Sequence, residues 1–203
     1  MAKVITCFET GKCLAEKIKG ENPYDFVGSK DMNLYGDLAE MVSLSGDGDY
    51  LELGTWRGAS ATIAATIKQN LNHSSQVFCV DHFKGYNGEY IGPDAAWNMF
   101  ERYGVLNYVS MFKSPSRPFP YAAVRTYACA FIDADHWGDA PYLDFKAIES
   151  MVHRFILMDD YDKTHADLML CVQRIEEEFS TTWKRLPTNS NSALFERISH
   201  GES

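Results

Sequence analysis

The chain has 203 residues, of which 45% are hydrophobic and 23% charged, values typical of a folded globular protein and not of a disordered one. The formal net charge of -9 argues against a nucleic-acid partner, because binding to phosphate backbones relies on clustered Lys and Arg. A small-molecule substrate fits this charge better, and the length suits a single domain.

The sequence has neither the apolar segment of a signal peptide at its N-terminus nor an apolar run long enough to cross a bilayer. Its five cysteines are odd in number and include no CxxC pair, which is typical of free thiols in a reducing compartment. These features predict a cytoplasmic protein with no membrane partner.

Residues 1–45 predict a helical cap, with helices at 8–19 and 31–44. From residue 50 onward, strands and helices alternate, which is the pattern of parallel βαβ units. The predicted strands are 50–53, 76–80, 108–112, 127–132 and 155–158, and the predicted helices are 59–71, 94–103, 142–152 and 166–179.

The end of the chain has a different pattern. Residues 181–186 and 193–198 are extended stretches separated by the turn-rich segment 187–192, which predicts an antiparallel hairpin. The elements together predict an α/β fold: a Rossmann-like, doubly wound and mostly parallel sheet of about seven strands, with helices on both faces and a C-terminal antiparallel hairpin.

A glycine turn links the first strand to the following helix. Gly54 and Gly58 allow a sharp bend and leave backbone amides open to a ligand at the helix N-terminus, in a spacing that matches neither a dinucleotide nor a phosphate loop. Glu52, ahead of the turn, could bond a cationic ligand through an amide or water, or simply face outward. Asp81 ends the next strand and could accept from ribose hydroxyls or cap a turn.

Two acidic clusters follow two consecutive apolar runs. Asp133 to His136 comes after strand 127–132, and Asp159 and Asp160 come after strand 155–158. If these strands are parallel neighbours, the carboxylates of Asp133, Asp159 and Asp160 meet at one edge of the sheet and repel each other unless a cation lies between them. The alternative is that Asp159 and Asp160 cap the next helix and Asp135 orients His136.

These features occur in a recognisable order and spacing. The segments are Glu52-Leu53-Gly54-x-x-x-Gly58, then Asp81, then Ile132-Asp133-Ala134-Asp135-His136, then Asp159-Asp160-Tyr161. Over about residues 31–198 they resemble a class I S-adenosylmethionine (SAM)-dependent methyltransferase. The likeness is greatest to the small O-methyltransferases that act on catechol, caffeoyl-CoA, macrolide and aminocoumarin sugar substrates. It implies one SAM-binding methyltransferase domain over residues 1–203.

The resemblance also implies roles for individual residues. Gly54, Thr55 and Gly58 would hold the methionine part of SAM, Asp81 its ribose, and Ser114 or Ser116 would lie near adenine. The predicted cofactor-binding residues are Glu52, Gly54, Thr55, Gly58, Ser60, Asp81, His82, Ser114 and Asp133.

The catalytic residues implied are His136, as general base, and Asp133, close to the transferring methyl. Asp133, Asp159 and Asp160 would bind Mg²⁺ or another divalent cation, because magnesium favours a few carboxylate oxygens and retained water. Bound to a hydroxyl, the cation would lower its pKa and orient it toward the methyl group.

The sequence thus predicts an enzyme, a SAM- and metal-dependent O-methyltransferase acting on a hydroxylated small molecule. One alternative is a methyltransferase that uses His136 without a metal. Another is a non-catalytic protein that binds the cofactor with the same fold. Dimers are common in this architecture, which leaves a homodimer open.

Overall fold

A computed structural model describes residues 6–22, 31–84, 92–118 and 125–198 of the protein. The chain begins with helices α1 (Cys7–Glu21) and α2 (Asn33–Leu44), which pack against each other. Helix α1 starts at Thr6, whose Oγ1 accepts a hydrogen bond from the backbone N–H of Glu9 at 3.2 Å. Both helices fall within the predicted cap, of which residues 1–5 and 23–30 lie outside the described ranges.

Strands and helices then alternate as predicted, with one short 3₁₀ turn at Leu106–Tyr108 before the third strand. The elements are β1 (Tyr50–Leu53), α3 (Ala59–Asn70), β2 (Val77–Asp81), α4 (Asp94–Arg102), β3 (Val109–Lys113), β4 (Tyr127–Ile132), α5 (Ala140–Ile148), β5 (Val152–Met158), α6 (Ala166–Glu178), β6 (Trp183–Leu186) and β7 (Ala193–Arg197).

The strands form one seven-stranded sheet in the order β3-β2-β1-β4-β5-β7-β6. Neighbouring strands from β3 to β5 are parallel, while β7 is antiparallel to both β5 and β6. The predicted α/β fold with a closing antiparallel hairpin is confirmed. The order reverses at β1, which lies between β2 and β4, and ligands of such sheets bind beyond the carboxyl ends of the strands at this reversal.

Both faces of the sheet are covered by apolar side chains. Strand β1 shows the arrangement, because Tyr50 packs into the layer beneath α1 to α4 while Leu51 and Leu53 pack into the layer beneath α5 and α6. All three side chains are fully buried. Burial on both faces explains why the central strands read as continuous apolar runs.

The predicted boundary between α5 and β5 is wrong. The helix predicted over 142–152 ends at Ile148, and Val152 instead begins β5, where it pairs with Tyr127. The exposed polar residues His153 and Arg154 interrupt the apolar run at the start of this strand, so the strand pattern was visible only from Phe155 onward.

The end of β1 lies unusually close to the end of β4. Gly54 has a φ of +90°, and a Cβ atom at this position would lie 2.0 Å from the carbonyl oxygen of Asp133. A side chain here would therefore meet both a left-handed backbone conformation and a clash with rigid backbone.

We predict that Gly54→Ala lowers the free energy of unfolding by about 3 kcal/mol, from backbone strain and overpacking together. Gly46→Ala is the matched control, because Gly46 has a φ of +71° but open space around the added Cβ. It should cost only about 1 kcal/mol. Urea unfolding measures the free energy of unfolding of both variants. Equal losses would show that the close approach of Gly54 to Asp133 does not affect stability.

Candidate active site

The carboxyl ends of β1, β4 and β5 meet at one edge of the sheet. Leu53 pairs with Ile132, and Ile132 pairs with Met158, so the residues that follow these strands are neighbours. The N–H of Asp133 donates to the carbonyl of Leu53 at 2.8 Å, and the N–H of Asp159 donates to the carbonyl of Ile132 at 3.1 Å. The glycine turn and both acidic clusters thus share one edge.

The glycine turn is held by the carboxylate of Asp81. Its Oδ2 accepts from the backbone N–H of Thr55 at 2.8 Å and of Trp56 at 2.7 Å, while Oδ1 accepts from Phe83. Helix α3 follows, with Gly58 at its N-cap in a left-handed conformation. The capping alternative for Asp81 is therefore present in the structure. A carboxylate retains further acceptor positions, so a bond to ribose is chemically compatible with this role.

Glu52 is fully buried, which makes the outward-facing alternative wrong. Its Oε2 accepts from the hydroxyl of Tyr50 at 2.8 Å. By hydrogen-bond distance and angle, Glu52 Oε1 and Thr55 Oγ1 are buried without a partner among the described residues. Burial raises the pKa of Glu52 to about 8, an effect that the Tyr50 hydroxyl partly opposes.

The buried polar atoms near the turn suit the charged end of a cofactor. A cationic ammonium group would supply the donor that Glu52 Oε1 lacks and would favour the ionised carboxylate. Ser60 is also buried and lies in the first turn of α3. The turn amides predicted to be open are instead occupied, since Gly54 donates to Val80, Thr55 and Trp56 donate to Asp81, and Gly58 donates to Thr55. The residues present therefore fit the methionine part of SAM.

The predicted ribose and adenine residues form a second group beside the turn. The N–H of Ser114, at the end of β3, donates to the carbonyl of Asp81 at 2.9 Å. His82 follows Asp81, and its Nδ1 lies 3.6 Å from Asp81 Oδ1 and accepts from the N–H of Lys84. The structure thus brings Asp81, His82 and Ser114 together, while their contacts with a cofactor stay a prediction.

The acidic clusters converge on a histidine. His136 Nε2 lies 3.2 Å from Asp133 Oδ1 and 3.7 Å from Asp160 Oδ2. Asp135 instead accepts from the N–H of Trp137, so Asp133, and not Asp135, is the residue that contacts the imidazole. The helix-capping alternative for Asp159 and Asp160 is also wrong, since α6 begins at Ala166 without a side-chain cap.

The electrostatics of this cluster follow from burial and crowding. Burial raises the pKa of Asp159, and the charges of Asp133 and Asp160 raise it further. Burial likewise raises the pKa of Asp133, although the hydrogen bond with His136 opposes the shift. Burial lowers the pKa of His136, but Asp133 and Asp160 outweigh it, so the net shift is upward.

Sequence reasoning missed a second imidazole in this group. His165 Nε2 lies 3.7 Å from Asp160 Oδ2, and its ring centre is 5.9 Å from that of His136. On its other side, Nδ1 lies 3.3 Å from Asp162 Oδ1, which also accepts from the N–H of Thr164. The Asp-x-Thr turn before α6 was the available signal, because it turns His165 back toward the strand end.

Within residues 6–22, 31–84, 92–118 and 125–198, no three His, Cys, Asp or Glu side chains are placed to hold a metal ion. The donor chemistry nevertheless fits a divalent cation, because Asp133, Asp159 and Asp160 supply oxygen ligands whose mutual repulsion a cation would relieve. Binding at these three residues requires a side-chain rearrangement, since His136 already contacts two of them.

Comparison with known proteins identifies the chain. A family model described as a methyltransferase domain matches residues 51–161, more than half of the sequence. The chain belongs to this methyltransferase family. It is a SAM-dependent methyltransferase, and its predicted resemblance to the O-methyltransferases of class I is confirmed. None of the curated proteins matches the sequence.

Solved methyltransferases share the fold. The O-methyltransferase NovP is 15% identical, with a TM-score of 0.73, over 95% of this chain and 100% of NovP. TomG from Streptomyces achromogenes, an O-methyltransferase involved in tomaymycin synthesis and solved with SAM, is 14% identical, with a TM-score of 0.63, over 92% and 89%. An rRNA methylase from Streptococcus thermophilus is 9% identical, with a TM-score of 0.56, over 86% and 100%. Identities this low show a common fold and leave the acceptor open.

In the described part of the methyltransferase, no helix has both the length and the apolar character needed to cross a membrane.

We predict that Glu52 makes the methyltransferase less stable as the pH rises. Its pKa is about 8 in the folded protein, against an ordinary value of 4.5. The neutral carboxyl therefore stabilises the folded state below pH 4.5, and this stabilisation is lost as the pH rises from 4.5 to 8. From pH 5 to pH 8 the native protein should lose about 3 kcal/mol of unfolding free energy that Glu52→Gln does not lose. Urea unfolding at both pH values measures the difference, and parallel pH dependences would contradict the buried neutral carboxyl.

Proposed function

We propose that this methyltransferase transfers the methyl group of SAM to a hydroxyl oxygen of a small molecule, with a divalent cation bound by Asp133, Asp159 and Asp160. The observation that carries the proposal is the shared edge of the sheet, where the glycine turn at Gly54 lies next to the pair of Asp133 and His136. A cofactor held by the turn would present its methyl group to a hydroxyl held by the pair.

Cofactor binding would use both groups beside the turn. Glu52, Gly54, Thr55, Gly58 and Ser60 hold the methionine part, where the buried oxygens of Glu52 and Thr55 await a donor or acceptor. Asp81 and His82 bind the ribose, and Ser114 lies toward the adenine. Asp133 lies between the cofactor site and the acceptor site. Its backbone bonds to the end of β1, where the turn begins, and its side chain contacts His136.

His136 acts as the general base. Its Nδ1, the ring nitrogen that is not in contact with Asp133, takes the proton of the acceptor hydroxyl while the oxygen forms a bond to the methyl carbon and the carbon–sulfur bond breaks. The sulfonium becomes a neutral thioether, and the proton remains on the imidazole. Asp133 orients the ring and stabilises its charged form, as the 3.2 Å contact and the upward pKa shift of His136 indicate.

Mg²⁺ or another divalent cation, when bound, would lower the pKa of the acceptor hydroxyl and fix its direction. Asp133, Asp159 and Asp160 are its proposed ligands. The support is the crowding of carboxyl groups at this edge, because burial raises the pKa of Asp133 and Asp159 and the charge of Asp160 raises both further. His165, held by Asp162, faces the same carboxylate of Asp160 and would border the acceptor.

The proposed acceptor is a hydroxylated small molecule and not a nucleic acid. NovP and TomG are both O-methyltransferases, and TomG is involved in the synthesis of a small molecule, tomaymycin. Although an rRNA methylase shares the fold, the net charge of -9 opposes binding to a phosphate backbone. A cytoplasmic location and a homodimer stay predictions.

Two other functions compete with this proposal. A methyltransferase that uses His136 without a metal is favoured by the direct contacts of that imidazole with Asp133 and Asp160. A non-catalytic protein would bind SAM and lack a reactive acceptor site.

Calorimetry with SAM and S-adenosylhomocysteine, each with and without Mg²⁺, separates the metal-dependent enzyme from the two metal-independent alternatives. We predict that the native protein binds both nucleosides and that Mg²⁺ binding produces heat. In Asp160→Asn, the cofactor should still bind, while Mg²⁺ affinity falls at least tenfold because one ligand charge is lost.

Asp162→Asn is the matched control, since Asp162 is a nearby carboxylate that is not a proposed ligand. Failure of both nucleosides to bind would overturn the proposal as a whole. Cofactor binding without any Mg²⁺ heat would overturn the metal site and leave the metal-independent enzyme and the non-catalytic protein, which differ in methyl transfer.

A further inference from the structure

Two carboxylates tie helix α2 and the residues just before it to the loop between β6 and β7, residues 187–192. Asp31 Oδ2 accepts from the N–H of Asn191 at 2.9 Å, and Asp37 makes the larger number of bonds. Asp37 is 6% exposed. Its oxygens accept from the N–H of Asn189 at 3.0 and 3.2 Å, from Asn189 Nδ2 at 2.9 Å and from the Ser190 hydroxyl at 2.6 Å. Bonds to an ionised acceptor are the stronger ones, so this carboxylate fixes the loop on α2.

Hydrogen bonds within the loop hold it together, and the loop contacts the chain just after β5, where Asp159 and Asp160 lie. Thr188 Oγ1 donates to the carbonyls of Ser190 and Ser192 at 3.1 and 3.0 Å. The carbonyl of Asn191 then accepts from the N–H of Tyr161 at 2.9 Å. The hydrogen bonds of Asp37 and Asn191, joined by the backbone of the loop, therefore link Asp37 to the residue that follows Asp160.

Asp160 needs external support for its backbone. Its φ is +56°, in the left-handed region that residues other than glycine seldom adopt. Such conformations persist when surrounding contacts enforce them. The bond from Tyr161 to Asn191 fixes the peptide directly after Asp160, and the bond from Asp160 N–H to Asp159 Oδ1 fixes the one before it.

We propose that Asp37 is a positioning residue for the active site. It holds the 187–192 loop, the loop holds Tyr161, and this contact keeps the Asp160 carboxylate between His136 and His165. The inference rests on the proposed function for the importance of Asp160, but the coupling itself is a property of the free protein. Helix α2 thus acts on the site through residues remote in sequence from the acidic clusters.

The test uses NMR on the full chain without cofactor, metal or acceptor, so it does not depend on whether the proposed reaction occurs. Two signals are measured at one fixed pH: the imidazole ¹⁵N chemical shifts of His136 and His165, and the exchange rate of the Tyr161 amide relative to that of Leu157 in the core of β5. In Asp37→Asn, the relative exchange rate of Tyr161 should rise at least tenfold.

The imidazole shifts give the specific readout. Asp37→Asn should move them in the direction seen in Asp160→Asn, and the double variant should move them no further than Asp160→Asn alone, because the two changes act through one carboxylate.

Asp47→Asn is the matched control. Asp47 also accepts three bonds from a loop, two from Ser74 and one from Ser75, but it lies before β1 at the opposite end of the sheet. It should alter neither signal. Ser190→Ala removes the 2.6 Å bond to Asp37 together with the 2.8 Å bond between the Ser190 and Ser192 hydroxyls, and it provides a milder variant if Asp37→Asn does not fold. Equal effects of Asp37→Asn and Asp47→Asn, or additive shifts in the double variant, would overturn the proposal.

Discussion

The close approach of Gly54 to the backbone of Asp133 is the constraint on which this active site depends. Because Gly54 has no Cβ, the end of β1 can lie against the carbonyl of Asp133 and still turn sharply into α3. The same edge then carries the cofactor turn on one strand and the acidic cluster on the next. A larger residue at position 54 would separate the two groups that a transfer reaction must bring together.

Charge is the second organising factor. Burial raises the pKa of Glu52, Asp133 and Asp159. The charge of Asp160 raises the pKa of Asp133 and Asp159 further, so the folded chain crowds acidic groups at this edge. SAM carries a sulfonium and an ammonium group, and a divalent ion adds further positive charge. A site with this excess of buried carboxyl groups favours positively charged ligands.

Much of the fold followed from local patterns in the sequence. Strands β1 and β4 begin and end where their apolar runs predict, because both are buried on both faces and bounded by turn residues. Strand β5 was placed too short, since His153 and Arg154 are exposed at its start. The antiparallel hairpin was predictable from the polar segment between its two strands.

The site was predictable only in part, for a physical reason. Asp133, Asp159 and Asp160 end consecutive strands, so their convergence follows from a parallel sheet. The contact of His165 with Asp160 and the bonds of Asp37 to Asn189 depend on loops folding back over the strand ends. The Asp-x-Thr turn indicates only that the chain turns at His165, and no local pattern identifies Asp160 or Asn189 as the partner across the loops. The burial of Glu52 likewise required knowing that β1 is central.

The most direct test of the account is a crystal structure with S-adenosylhomocysteine and Mn²⁺, read by anomalous scattering. We predict the homocysteine part at the turn from Gly54 to Gly58 and a metal peak about 2.0–2.6 Å from oxygens of Asp133, Asp159 and Asp160. A cofactor bound away from this turn, or a metal peak elsewhere on the protein, would contradict the shared edge of β1, β4 and β5 as the place of methyl transfer.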